Sequence, residues 1–174
     1  MRRRFLLCCT LLSPLVLLVV VTLSGLRINR SHSFPPGLYW VVSKTPARND
    51  LVFFLPPHRG VFDLAKARGY IGSSSIDSTG SELMLKRLVA EAGDVVSIDA
   101  SGVTVNGRAI RNSVPQAADQ AGRPLPVCRL TQYRLEKSEV LAMSDYSPLS
   151  FDARYFGPIP VDCIQSVVTP ILTW

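Results

Sequence analysis

Only two histidines and four cysteines occur in the 174 residues. Histidine scarcity restricts the chemistry. His32 and His58 are the only candidates for a serine–histidine arrangement, and neither is well placed for one. His32 is adjacent to Ser33, and consecutive side chains of an extended chain point apart. His58 follows Pro56-Pro57 and reads as a surface residue. No paired C-x-x-C and no H-E-x-x-H spacing occurs, so the sequence offers no metal site and calls for no cofactor. There is no basic stripe interleaved with aromatics, which argues against nucleic acid as a partner. No internal repeats are visible.

Charge is also missing from one long stretch. Phe5 to Leu26 reads FLLCCTLLSPLVLLVVVTLSGL without a charged residue, and about 20 apolar residues span a bilayer core as a helix. The formal net charge of +6 gathers around this run, in Arg2, Arg3, Arg4, Arg27 and Arg30. Beyond residue 30 the 14 basic residues nearly balance the 13 acidic ones. Basicity here therefore concerns topology. A cleavable secretory signal is the competing reading, but its apolar core is only about 7–15 residues and ends at a small-residue site. Leu23-Ser24-Gly25-Leu26 fits that poorly, which favours a retained single-pass anchor. The Arg2–Arg4 cluster places the N-terminus in the cytoplasm. The expected organisation is a cytoplasmic tip and transmembrane anchor over residues 1–30, and an exported domain over 31–174, on the outer side of the cytoplasmic membrane. In that compartment a disulfide between Cys128 and Cys163 is open, though spacing does not decide it.

The exported part reads as mostly β. Leu38–Val42, Asp50–Leu55, Glu82–Val89, Val95–Asp99, Val103–Val105, Gln132–Leu135, Glu139–Met143 and Ile164–Val168 have strand composition, and Asn106-Gly107 is a tight-turn signal. Val61–Arg68 has helical spacing and stops at Gly69, giving one short helix. Residues 72–80 are Gly/Ser-rich, and residues 112–126 form an irregular excursion with three prolines. Short strands with Gly/Pro turns imply an antiparallel β-barrel or sandwich.

Two residues bear on chemistry. On a strand over residues 83–89, Lys86 shares a face with Met84 and Leu88, and Arg87 points to the other face. A lysine desolvated among apolar neighbours has a lowered pKa and can act as a base. On periodicity alone, an edge-strand lysine that discourages aggregation is the simpler reading. Ser33 precedes Pro35-Pro36-Gly37, which keeps the local backbone out of a helix. At most about 25 Å of extended chain separates it from Leu26, so Ser33 lies near the membrane. Taken alone it is an ordinary juxtamembrane serine. Asp145 and Asp152 read as capping or salt-bridge residues more readily than as an acid/base pair.

Three blocks occur in order: S33-F-P-P-G-L-Y39, L85-K-R-L-V-A-E-A-G-D-V-V96 and S144-D-Y-S-P-L-S-F-D-A-R-Y-F-G157. Together they resemble the bacterial type I signal peptidase family (S26), and more closely its conjugative-transfer, TraF-like branch. The resemblance implies a signal-peptidase-like β domain and a serine endopeptidase. It implies Ser33 as nucleophile, Lys86 as general base, Ser31 with the Ser33 N–H as oxyanion hole, Ser150 orienting the lysine, and Asp152 with Arg154 as a structural ion pair. Its expected substrate is a membrane-bound, pilin-like precursor, cleaved or cyclised beside the lipid bilayer, with secretion-apparatus components as further partners. Departures are Phe34, Gly37, Ala90–Ala92 and Ser144, the last where the family usually has glycine. Two other classes remain: a non-catalytic membrane-tethered β-domain that scaffolds an export or pilus complex, and a self-cleaving repressor relative. The anchor and the lack of a DNA-binding motif disfavour the latter.

Overall fold

The computed structural model describes residues 25–74 and 80–174. The expected transmembrane segment lies outside the described residues except for its last two positions, as does the centre of the Gly/Ser-rich stretch. Among the described residues no helix is long and apolar enough to cross a membrane.

In chain order the first strands are β1 (Leu26–Asn29), β2 (Gly37–Val42), β3 (Leu51–Phe54), β4 (Met84–Ala90), β5 (Val95–Asp99) and β6 (Gly102–Val105). They are followed by β7 (Arg108–Ala109), β8 (Leu130–Arg134), β9 (Glu139–Met143), β10 (Ile159–Pro160) and β11 (Ile164–Thr173). Two helices interrupt them, α1 (Gly60–Ala67) and the single turn α2 (Ala153–Phe156). The strands make two antiparallel sheets. The larger has the order β1-β2-β11-β3-β4-β9-β10, and the smaller β7-β6-β5-β8.

The mostly β expectation holds, with corrections at its margins. Leu26–Asn29, counted with the anchor in the sequence reading, is instead β1, paired with β2 from Leu26↔Trp40 to Asn29↔Gly37. Among the described residues the one short helix expected in the exported domain becomes two, because Asp152 caps a further turn by accepting from the Arg154 N–H. The last strand runs on to Thr173 past Pro170, accommodating the proline at a register shift between Pro170 and Leu172. Asn106 (φ +50°) and Gly107 (φ +77°) form the two-residue turn between β6 and β7, as their left-handed tolerance predicts.

Most buried apolar side chains form one core between the sheets and α1, including Phe54, Phe62, Leu88, Ile98, Leu141 and Phe156. A second, smaller cluster of Phe34, Tyr39, Phe53, Leu85 and Val168 lies on the other face of the large sheet. β4 therefore has apolar material on both faces. Met84 and Leu88 belong to the first cluster and Leu85 to the second, so period-two alternation is kept. Only near its end does a register shift between Leu88 and Ala90 break it. Cys128 and Cys163 are both free thiols beside the main core, so the bridge left open by the sequence is not formed.

Candidate active site

β4 is an interior strand, hydrogen-bonded to β3 and β9, which removes the edge-strand reading of Lys86. Its side chain is 1% exposed. Ser33 sits in the loop from β1 to β2, and Ser150 in the turn after β9. The three meet in a triangle: Lys86 Nζ is 2.6 Å from Ser33 Oγ and 2.9 Å from Ser150 Oγ, and the two hydroxyls are 3.3 Å apart.

Burial dominates the electrostatics of Lys86, because removing water penalises the charged form. It pushes the ammonium pKa down from 10.5 to about 8, with Asp152 opposing the change and Arg154 adding to it. A useful fraction of Lys86 is then neutral near neutral pH, with a lone pair directed at a hydroxyl.

Asp152 and Arg154 are fully buried and paired twice, Nε to Oδ1 and Nη2 to Oδ2, each at 2.8 Å. The remaining Arg154 donors reach the carbonyls of Asn112, Val114, Ser147, Pro148 and Ser150. This one guanidinium thus fixes the turn that carries Ser150. Asp145 instead takes Arg87 at 3.0 Å on the opposite face of β4, so the two aspartates act as separate salt-bridge partners.

Ser31 lines the same cleft as Ser33, but its hydroxyl proton goes to Asn29 Oδ1 at 2.8 Å. Asn29 was not singled out from the sequence. The Ser33 N–H makes no hydrogen bond among the described residues, leaving a donor free beside the Ser33 hydroxyl. Ser144 departs from the usual glycine, and it donates its hydroxyl to the Ser33 carbonyl oxygen at 2.5 Å. Neither contact has a local sequence signal.

The cleft at Ser33 has a volume of about 920 Å³. The irregular excursion contributes Gln116, Asp119 and Arg123 to its lining, with Tyr70 and Leu149. Asp119 bonds the Tyr70 hydroxyl and Arg123 Nε, which gives this Pro-rich segment a fixed shape. His32 lines the cleft beside Ser33, and His58 is exposed away from it.

A buried lysine with two serine hydroxyls at the edge of an open cleft defines the class, and the chain belongs to the signal peptidase, peptidase S26 family, whose family model matches residues 2–173. Its relatives include a plasmid transfer protein TraF of Escherichia coli, 47% identical over 151 residues, covering 87% of this chain and 84% of that protein. A second TraF of the same organism is 42% identical, with coverages of 93% and 91%. A probable conjugal transfer protein TraF of Sinorhizobium fredii is 33% identical, covering 86% and 78%. Among solved structures, a signal peptidase I of Enterococcus faecalis aligns over 72% of this chain and 98% of its own, with a TM-score of 0.41 at 18% identity.

Proposed function

We propose that the chain is a membrane-anchored serine endopeptidase of conjugative transfer that works through a Ser33–Lys86 dyad on a membrane-bound, pilin-like precursor. The observation that carries this reading is the 2.6 Å approach of Ser33 Oγ to a buried lysine.

Neutral Lys86 takes the Ser33 hydroxyl proton as Oγ attacks the scissile carbonyl carbon. The Ser33 N–H stabilises the oxyanion that develops. Ser150 holds the amine in line by accepting one of its protons. The resulting ammonium then returns a proton to the departing amine, and the acyl group remains on Ser33. Water resolves that ester to a new carboxylate. An amine of the substrate resolves it to a new peptide bond, which closes a ring if the amine is the substrate's own N-terminus. The relatives' names, plasmid and conjugal transfer proteins, favour a conjugative substrate. The uncharged apolar run ahead of β1 supports an anchor in the cytoplasmic membrane with the β domain outside it.

The test is processing in donor cells. Ser33→Ala and Lys86→Ala are introduced separately into the full chain, supplied to a conjugative plasmid lacking its own copy. Precursor mass in membranes and plasmid transfer are then measured. Accumulated full-length precursor and lost transfer are expected in both. Normal processing in both variants would leave the scaffold reading instead.

A further inference from the structure

The loop bearing Ser33 is short of regular structure and yet makes many hydrogen bonds to two side chains. Asn29 is buried at the end of β1. Its Oδ1 accepts from the Ser31 N–H at 3.1 Å and from the Ser31 hydroxyl at 2.8 Å. Its Nδ2 faces the carbonyl oxygens of Ser31, Phe34 and Pro35, each at 3.1 Å. The amide can take only this orientation, because the reverse would set a donor against the Ser31 N–H and an acceptor against three carbonyls. From the other side comes Ser144, fully buried. It donates to the Ser33 carbonyl and accepts from the N–H groups of Tyr146 and Ser147, while its own N–H is held by Asp152.

We propose that Asn29 and Ser144 are positioning residues that clamp the nucleophile loop from two sides, so that Ser33 is held on Lys86 Nζ and closes it off from water. Each contributes what the other cannot. Asn29 fixes the peptide groups before and after Ser33, whereas Ser144 fixes the Ser33 carbonyl itself. Phe34 is the loop's apolar foot, stacked with Tyr146 at a ring-centroid distance of 6.2 Å, but a ring contact alone does not set the rotation of the peptide planes.

The consequence concerns Lys86, since burial is the largest influence on it. The charged groups around it are Asp152 and Arg154 on the segment after Ser150 and the Arg87–Asp145 pair on the far face of β4, and the titratable His32 lines the cleft. Replacing Asn29 or Ser144 adds and removes no charge, and Ser144→Gly keeps the backbone N–H that Asp152 holds. The main effect of a released loop on Nζ is then the access of water.

The chain has four lysines, Lys44, Lys66, Lys86 and Lys137, so side-chain NMR of isotopically labelled lysine in the full chain can follow Lys86, identified by its loss in Lys86→Met. In Asn29→Ala and in Ser144→Gly, titration of Lys86 is expected to rise by about one pH unit as water reaches it. Dispersed backbone amide resonances and a cooperative denaturation transition check that each variant is folded, and either folded variant is sufficient. An unchanged Lys86 titration in a folded variant overturns the clamp.

The rate arm rests on the peptidase reading. There, precursor processing falls about a hundredfold, as small misplacements of reacting groups do, and its pH midpoint rises with the Lys86 titration. Wild-type processing rates in both variants, with Ser33→Ala inactive, would sink the clamp and leave the peptidase reading standing. Normal processing by Ser33→Ala would sink the peptidase reading, and the NMR titration would still decide the clamp.

Discussion

Asp152 and Arg154 share a two-point ion pair at 2.8 Å with neither side chain touched by solvent, and the same carboxylate is the main counter-charge for Lys86. A buried pair contributes little net stability while both members are present, but removing one leaves an uncompensated charge. Arg154→Met is therefore expected to cost about 3–5 kcal/mol in chemical denaturation. It would also release the carbonyls of residues 112–114 and 147–150 that Arg154 holds. A cost below about 1 kcal/mol would mean that the pair behaves as a surface contact.

Asp152→Asn separates charge from shape. Asp152 raises the Lys86 pKa and Arg154 lowers it, so a neutral amide removes the attraction and frees the repulsion. The pH midpoint of precursor processing is expected to fall below the wild-type value, in a fold weakened by the unpaired Arg154 guanidinium. A midpoint that rises would contradict the charge assignment.

In the proposed dyad the wild-type enzyme acts with Lys86 neutral. Processing should increase with pH through about 8, where burial holds the amine, because only the unprotonated lysine can accept the serine proton. A rate independent of pH between 6 and 9 would exclude Lys86 as the base.

The same titration bears on stability. Lys86 has a lower pKa folded, about 8, than its ordinary 10.5, so between these values the unfolded chain binds more protons and stability rises with pH. Below about 8 the full penalty is present, on the order of 3 kcal/mol. Raised tyrosines such as Tyr39 and Tyr155 act in the opposite sense at high pH, so the comparison is wild type against Lys86→Met. At pH 7 the methionine variant is expected to be at least as stable as wild type, and its advantage should shrink toward pH 10.5. An advantage that grows with pH would reverse the assigned sign.

How much of this was legible in the sequence depended on the range of the interaction. Lys86 facing Met84 and Leu88 follows from the two-residue period of a strand, which is local. The Asn106-Gly107 turn is local too. Leu26–Asn29 was hidden because it continues directly from an apolar run, and hydropathy does not distinguish the end of an anchor from a strand that follows it. The Ser144 contact to Ser33 spans 111 residues, so no periodicity encodes it, and against the family pattern Ser144 was legible only as a departure. The excursion over 112–126 gave no pattern because its shape is fixed by side chains such as Asp119 and Arg154. Ser33, Lys86 and Ser150 are legible through the motif blocks, whereas Asn29 and the Ser144 contact emerge only in the fold.

Gly37 illustrates the same point in a form that can be measured. It follows Pro35-Pro36 and reads as a turn glycine, yet the constraint at this position comes from β11. A β-carbon here would sit 2.2 Å from the Leu172 carbonyl oxygen and 2.8 Å from the Thr173 α-carbon, both backbone atoms that cannot swing aside. Gly37→Ala must therefore push the end of β11 away from β2 and break the Trp174 N–H bond to the Pro36 carbonyl. The expected cost is about 1–3 kcal/mol, typical of overpacking. Hydrogen exchange should quicken at residues 171–174, while β4 and β9, which do not touch this corner, keep their protection. Unchanged exchange at Trp174 would show that the corner yields without parting the strands.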